Sequence, residues 1–211
     1  MKHEFTRKDI DFYSEGTRCS AWLYLPQTDK KCPIIVMAHG LGGTREMRLY
    51  EYAERFASVG YACFLFDYRN FGASDGNKRQ LINVKMQLKD WHNAIEYIKK
   101  DSRIDADKLL LFGSSFSGGH VTYLSANRND VKGAVAQCPY TDTMATIKEV
   151  GLGYILKREP FVIANVLGCV TGYHPVMLNL STYTGELAFM EVDEKTTRDI
   201  FENVNANSRA I

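Results

Sequence analysis

Apolar and polar residues alternate in two stretches near the start of the chain, Glu4 to Phe12 and Arg18 to Leu25, on either side of the turn-forming Ser14-Glu15-Gly16. Period-two alternation around a short glycine turn predicts an antiparallel hairpin, placed at one edge of a sheet. A different pattern follows. Pro33-Ile34-Ile35-Val36-Met37-Ala38, Tyr61 to Phe66, Lys108 to Phe112 and Val131 to Gln137 are near-continuous apolar runs, as expected of strands covered on both faces in a mainly parallel sheet. Helical segments fall between them. Arg45 to Val59 is predicted as a helix with Thr44 as its cap, Glu46 in its first turn and Gly60 just past its end. Asn83 is expected to cap a second helix, whose Val84, Leu88, Trp91, Ile95 and Ile98 share one face and whose Glu96 and Lys100 pair on the wet side. A third helix is expected from about Ser117 to Asn127.

Strands alternating with helices predict an α/β fold, a mainly parallel, doubly wound sheet with right-handed crossovers and ligands at the carboxyl ends of the strands. The loops at His39, Asp67 and Ser115 then meet at one edge. From Thr143 the pattern breaks. Glycines at 151, 153, 168, 172 and 185, the Arg158-Glu159-Pro160 break and the Tyr173-His174-Pro175 turn interrupt short apolar segments, and no further buried strand is expected. The reading is therefore a core over residues 1–142 and a cap or lid over residues 143–211, with a loosely packed tail as the alternative, since long irregular stretches are either functional or disordered.

Composition narrows the partners. Lys and Arg number 26 against 25 Asp and Glu, without a basic block, so no nucleic acid and no membrane surface is expected as a partner. The five cysteines are scattered, several within apolar runs, and read as buried thiols in a reducing compartment rather than a disulfide frame. Zinc-ligand spacing is absent, and neither metal nor cofactor is expected. Met1-Lys2-His3-Glu4-Phe5 leads into a polar segment unlike a signal peptide, which makes the cytoplasm the default. Phe161 to Val170 is about ten residues, too short to span a bilayer.

The candidate chemistry sits in Phe112-Gly113-Ser114-Ser115-Phe116-Ser117-Gly118-Gly119-His120. Strand, sharp turn and helix follow one another there, and a glycine two residues before Ser115 permits a strained reversal that lifts its hydroxyl clear of the sheet. Ser115 is the candidate nucleophile. The turn departs from Gly-x-Ser-x-Gly at Ser117, with Gly118 and Gly119 just behind. Two other readings are an ordinary strand-to-helix turn and a dinucleotide-binding turn, but the latter needs a glycine where Ser115 stands.

His39-Gly40 after one strand, Asp67-Tyr68-Arg69 with Gly72 and Ser74 after the next, and the serine turn after the third together resemble the α/β-hydrolase superfamily over about Glu4 to Asp142. Esterase-like and Xaa-Pro dipeptidyl-peptidase-like members are the nearest in look. The resemblance implies that Ser115 attacks an acyl carbon while the backbone amides of Leu41 and Phe116 hold the oxyanion. His39 precedes the nucleophile, where this fold shapes the oxyanion loop, and so has a structural role rather than that of base. No cofactor is implied, and the expected substrate is a small-molecule ester or a short peptide.

In the family the acid and the histidine follow two later strands, which this sequence does not display. At about 30 residues or more for each strand-helix unit, the chain is expected to stop roughly 60 to 80 residues short of the family's ending. The stand-ins are Asp142, which equally suits a helix cap, and His174, which equally suits packing within the cap. His120 lies along the helix behind the serine and is expected to pack rather than react. The apolar cap segments Gly151 to Leu156 and Phe161 to Val170, with Tyr140, Tyr154 and Tyr173, form either an acyl pocket or a helical core. Val131 to Gln137, left as an edge, is a site for self-association. Three functions remain open: a serine hydrolase of esters or small amides, a catalytically incomplete relative acting as a binding or interaction module, and a peptidase like the Xaa-Pro dipeptidyl-peptidases.

Overall fold

The computed structural model describes residues 2–150, together with 160, 163, 164, 167, 179–182 and 188–191. The chain divides into two compact units with the boundary between Thr141 and Asp142. In the first, the elements run β1 (Phe5–Ser14), β2 (Thr17–Pro26), β3 (Cys32–Ala38), α1 (Leu49–Ala57), β4 (Ala62–Phe66), α2 (Val84–Ile98), β5 (Ile104–Ser114), α3 (Phe116–Asn127) and β6 (Val131–Gln137). The six strands form one sheet in the order β1-β2-β4-β3-β5-β6. The hairpin β1–β2 and its pairing to β4 are antiparallel, whereas β4, β3, β5 and β6 are parallel to one another.

Of the continuous apolar runs, β3, β4 and β5 are buried on both faces because period-two geometry divides each of them between two cores, whereas Val131–Gln137, at the sheet edge, has no fully buried residue. Ile34, Val36 and Ala38 of β3, Ala62, Phe64 and Phe66 of β4, and Leu109 and Leu111 of β5 pack with Trp91, Ala94, Ile95 and Ile98 of α2 and Val121 and Leu124 of α3. Ile35 and Met37, Cys63 and Leu65, and Phe112 face the other way, onto Leu49, Ala53 and Ala57 of α1. Each large side chain so enclosed contributes about 1.5–3 kcal/mol relative to an exposed one. One polar face anywhere in these strands would remove a whole layer.

Three helix expectations need correction. The first helix begins at Leu49, not Arg45, and Thr44 does not cap it: Arg48 just before it is left-handed at φ 60°. Residues 44–47 form a turn instead, with the Met47 amide donating to the Thr44 carbonyl at 3.1 Å, while Asp67 holds the Arg45 amide at 2.8 Å. In α2 the Asn83 cap is as expected, its Oδ1 accepting from the Met86 amide at 3.0 Å. Val84 is exposed, however, and Gln87 and Asp90 are buried in its place. Asp90 tolerates burial because Ser14 Oγ and Arg69 Nε each donate to it at 2.5 Å. Glu96 accepts from Arg128 Nη2 at 2.7 Å rather than pairing with Lys100, so the bond ties α2 to the end of α3.

Among the described residues β6 lies at the sheet edge opposite β1, with Val135 half exposed. Cys19, Cys32 and Cys63 are buried as expected, while Cys138 is exposed. In the second unit, α4 (Thr143–Val150) is followed by a short parallel ladder of β7 (Asn179–Thr182) and β8 (Ala188–Glu191), two strands that the broken pattern did not reveal. The expected lid and pocket segments and His174 fall outside the described residues, apart from isolated helical positions such as Ile163 and Leu167.

Candidate active site

Ser115 lies between β5 and α3 with its residue exposed and its backbone at φ 54° and ψ −114°. A residue with a side chain pays about 1–3 kcal/mol for such a conformation, and only surrounding structure makes it persist. The support comes from the end of β6. The Ser115 amide donates to the Gln137 carbonyl at 2.8 Å, and the Ser115 carbonyl accepts from the Tyr140 amide at 3.0 Å. Both clamps are backbone to backbone and so leave no trace in the identities of the residues.

Glycine is required around this turn for close approach rather than for flexibility. A Cβ on Gly113 would collide with the Ser117 carbonyl, and one on Gly118 would lie 2.8 Å from Pro139 Cα. Gly119 similarly leaves room for the Tyr140 carbonyl. The loop after β3 also runs against the serine, since a Cβ on Gly40 would come within 3.0 Å of Ser115 Cβ and 3.1 Å of the Ser114 carbonyl. Leu41 is the next residue. Phe116 opens α3, and an amide in the first helical turn has no acceptor within its own helix.

Below the turn lies a buried polar cluster. Trp91 Nε1 donates to Tyr68 Oη at 2.7 Å, Tyr68 Oη bonds Ser117 Oγ, and Ser117 Oγ donates to the His39 carbonyl at 2.7 Å. The His39 ring stands edge-on to Tyr68 at 4.8 Å, and its Nδ1 donates to the Gly40 carbonyl at 3.0 Å. Its Nε2 is 3.8 Å from Asp67 Oδ1, too long for a hydrogen bond. Burial pushes the His39 pKa down, against the pull of Asp67, and so favours the neutral ring. His39 is therefore a packed, oriented part of the loop, in line with the structural role expected of it.

His120 is also buried, edge-on to Phe116 with centroids 5.1 Å apart, and burial, helped by His39, pushes its pKa down to about 4. His92 Nδ1 accepts from Arg128 Nη1 at 2.8 Å on the surface. With these partners, none of His39, His92 and His120 serves Ser115 Oγ as a hydrogen-bonded base. Asp142, in the second unit, accepts from the Met144 and Ala145 amides at 2.8 and 3.1 Å and caps α4. Of its two expected roles, the geometry displays the cap. His174 is not among the described residues.

Asp67 Oδ1 takes the Arg45 amide, its Oδ2 takes the Ala73 amide at 3.1 Å, and Arg45 Nη1 stands 3.2 Å from Oδ2. Gly72 at φ 48° has no Cβ to strike this carboxylate. Among the described residues, no group of three or more His, Cys, Asp or Glu is placed to hold a metal ion, and no helix is long and apolar enough to cross a membrane.

The chain is similar to known proteins in sequence and fold. The chain is 43% identical over 186 residues to the quorum-quenching protein AidA of Acinetobacter baumannii, covering 88% of this chain and 61% of that protein. It is 30% identical to the thiohydrolase aneE of Aspergillus aculeatus, covering 78% of this chain and 52% of that protein. The crystal structure of the α/β hydrolase GrgF from Penicillium sp. superposes with a TM-score of 0.72 at 24% identity, over 86% of this chain and 61% of GrgF, a likeness of fold. The chain thus spans about three fifths or less of the length of these relatives. The family model described as serine aminopeptidase, S33 (Hydrolase_4) matches residues 29–177, and the chain belongs to that family of α/β hydrolases.

Proposed function

We propose that the protein hydrolyses carboxylic esters, or small amides, through an acyl-enzyme on Ser115. The observation that carries this reading is the exposed, strained serine at the end of β5, with the first-turn amide of Phe116 beside it and the loop bearing Leu41 against it. Ser115 Oγ attacks the acyl carbon, its proton passes to a base, and the carbonyl oxygen becomes an oxyanion facing the Leu41 and Phe116 amides. Collapse expels the alcohol, which takes up a proton, and water then releases the acid from Ser115. Fixed donors of this kind supply about 3 kcal/mol each. The similarity to a protein named a thiohydrolase supports a hydrolase reading.

A second reading is a binding module built on the same fold, favoured by the engagement of His39, His92 and His120 elsewhere. Enzymes without a triad member keep about 10³ to 10⁴ over water, far below ordinary turnover. Short-chain nitrophenyl esters separate the two. Turnover that disappears in Ser115→Ala supports the hydrolase, and equal rates for both proteins overturn it.

A further inference from the structure

We propose that Ser117 is a positioning residue that sets the spacing of the two oxyanion-binding amides, tying the loop after β3 to the helix behind the nucleophile. The inference rests on the reading of Ser115 as nucleophile and adds to it a residue outside the expected site. Position 117 is where the sequence departs from the glycine of Gly-x-Ser-x-Gly, and the hydroxyl found there has work that a glycine cannot do.

Counting hydrogens fixes the direction of the three bonds that run from Trp91 to the His39 carbonyl; His120 Nδ1 also lies 3.5 Å from Tyr68 Oη, at the outer limit of a hydrogen bond. An indole N–H only donates, so Trp91 gives its hydrogen to Tyr68 Oη. A backbone carbonyl only accepts, so the single hydrogen of Ser117 goes to His39. The Tyr68 hydroxyl hydrogen is then directed at Ser117 Oγ, which accepts it. Burial holds the Tyr68 phenol above its usual range, so it keeps that hydrogen. All four residues are buried, which leaves the hydroxyl rotors without competing solvent. The result is a one-way chain from α2, through the second residue after β4, to the first turn of α3 and finally to the residue after β3.

Its last two members bracket the reaction. Ser117 adjoins Phe116, and the His39 carbonyl belongs to the peptide that leads into Gly40, the glycine packed on Ser115, with Leu41 next. One hydroxyl thus holds the loop of one amide at a set distance from the helix of the other. Loss of about 1 Å of registry in such a site costs about 100-fold in rate. Tyr68 acts one step further back, by leaving Ser117 no choice of where to point.

The test compares wild type, Ser115→Ala, Ser117→Gly and Tyr68→Phe in two measurements. The first is kcat and KM on a nitrophenyl ester, per site titrated with a fluorophosphonate; the second is the rate of labelling by that fluorophosphonate, whose phosphoryl oxygen occupies the oxyanion position. Ser117→Gly and Tyr68→Phe are expected to lower kcat by about 10- to 100-fold, with KM within about twofold, and to slow labelling in parallel. Tyr68→Phe keeps the buried ring, and so remains informative if Ser117→Gly does not fold. Wild-type kcat and labelling in both variants, with Ser115→Ala inert, overturn the inference and leave the hydrolase reading intact. A fall that disappears on normalising to titrated sites overturns it equally. A wild-type protein that neither labels nor turns over, or that Ser115→Ala matches, overturns both.

Discussion

The carboxylate of Asp67 accepts the backbone amide of Arg45 at 2.8 Å, while the Arg45 guanidinium reaches back to within 3.2 Å of the same carboxylate. A side chain at the end of β4 thereby dictates where the loop after β3 turns and where α1 is allowed to start. Both groups are almost wholly buried, and the guanidinium also lies over the Trp22 ring, 4.6 Å from its centre.

Asp67→Ala therefore leaves a buried cation without its anion and two amides without acceptors. Breaking such a pair costs about 3–5 kcal/mol. Urea unfolding of the variant should show a loss of unfolding free energy of that size, whereas a loss below about 1 kcal/mol, the scale of a surface pair, would refute the assignment.

Acid should weaken the fold through His120. The unfolded imidazole takes its proton near 6.5, but burial delays protonation in the native state to about 4. Between those values the unfolded chain binds the extra proton, so stability is full above pH 6.5, falls as pH drops towards 4, and levels off below it. The loss is about 3 kcal/mol in all. His120→Gln should flatten the decline measured between neutral pH and pH 4.5, with a residue of slope from His39, which burial shifts in the same direction. An unchanged slope would count against this origin.

Gly113→Ala drives a methyl group into the Ser117 carbonyl, and no side-chain rotation relieves a clash with backbone. A cost of about 3 kcal/mol or more is expected, together with loss of Ser115 labelling. Gly16→Ala is the comparison for a glycine with open space around its Cβ position, where only the left-handed backbone at φ 79° costs about 1–2 kcal/mol. Equal thermal midpoints for the two variants would disprove the close-packing account.

Asn83→Ala removes the acceptor for the Met86 amide and should cost about 1 kcal/mol, readable as a drop in thermal midpoint, with serine at this position recovering most of it.

Much of the sheet was legible because its signal is local. Continuous runs such as Ile34 to Ala38 and Ala62 to Phe66 mark doubly covered strands without reference to anything distant. The serine turn was legible through its small residues, although the need for Gly118 and Gly119 arises from Pro139 and Tyr140 across the turn. What escaped were polar contacts between residues far apart in the chain. Thr44 looks like a helix cap until Asp67 claims Arg45, and Asp90 looks solvent-facing until Ser14 and Arg69 meet it inside. Ser117 read as a flaw in a glycine motif because its partners lie at Tyr68 and His39. Such pairings have no period, and no residue type announces them.

The strand order carries a consequence for synthesis. β3, which bears the His39 loop, lies between β4 and β5, so a chain growing from its N-terminus keeps β3 as an open margin until Ile104–Ser114 has been made. The next residue is Ser115. The serine and the strand that covers the open side of β3 leave the ribosome together, and the Gln137 and Tyr140 clamp follows only after α3 and β6. A nascent chain ending before Gln137 therefore presents the serine without the support that holds its turn.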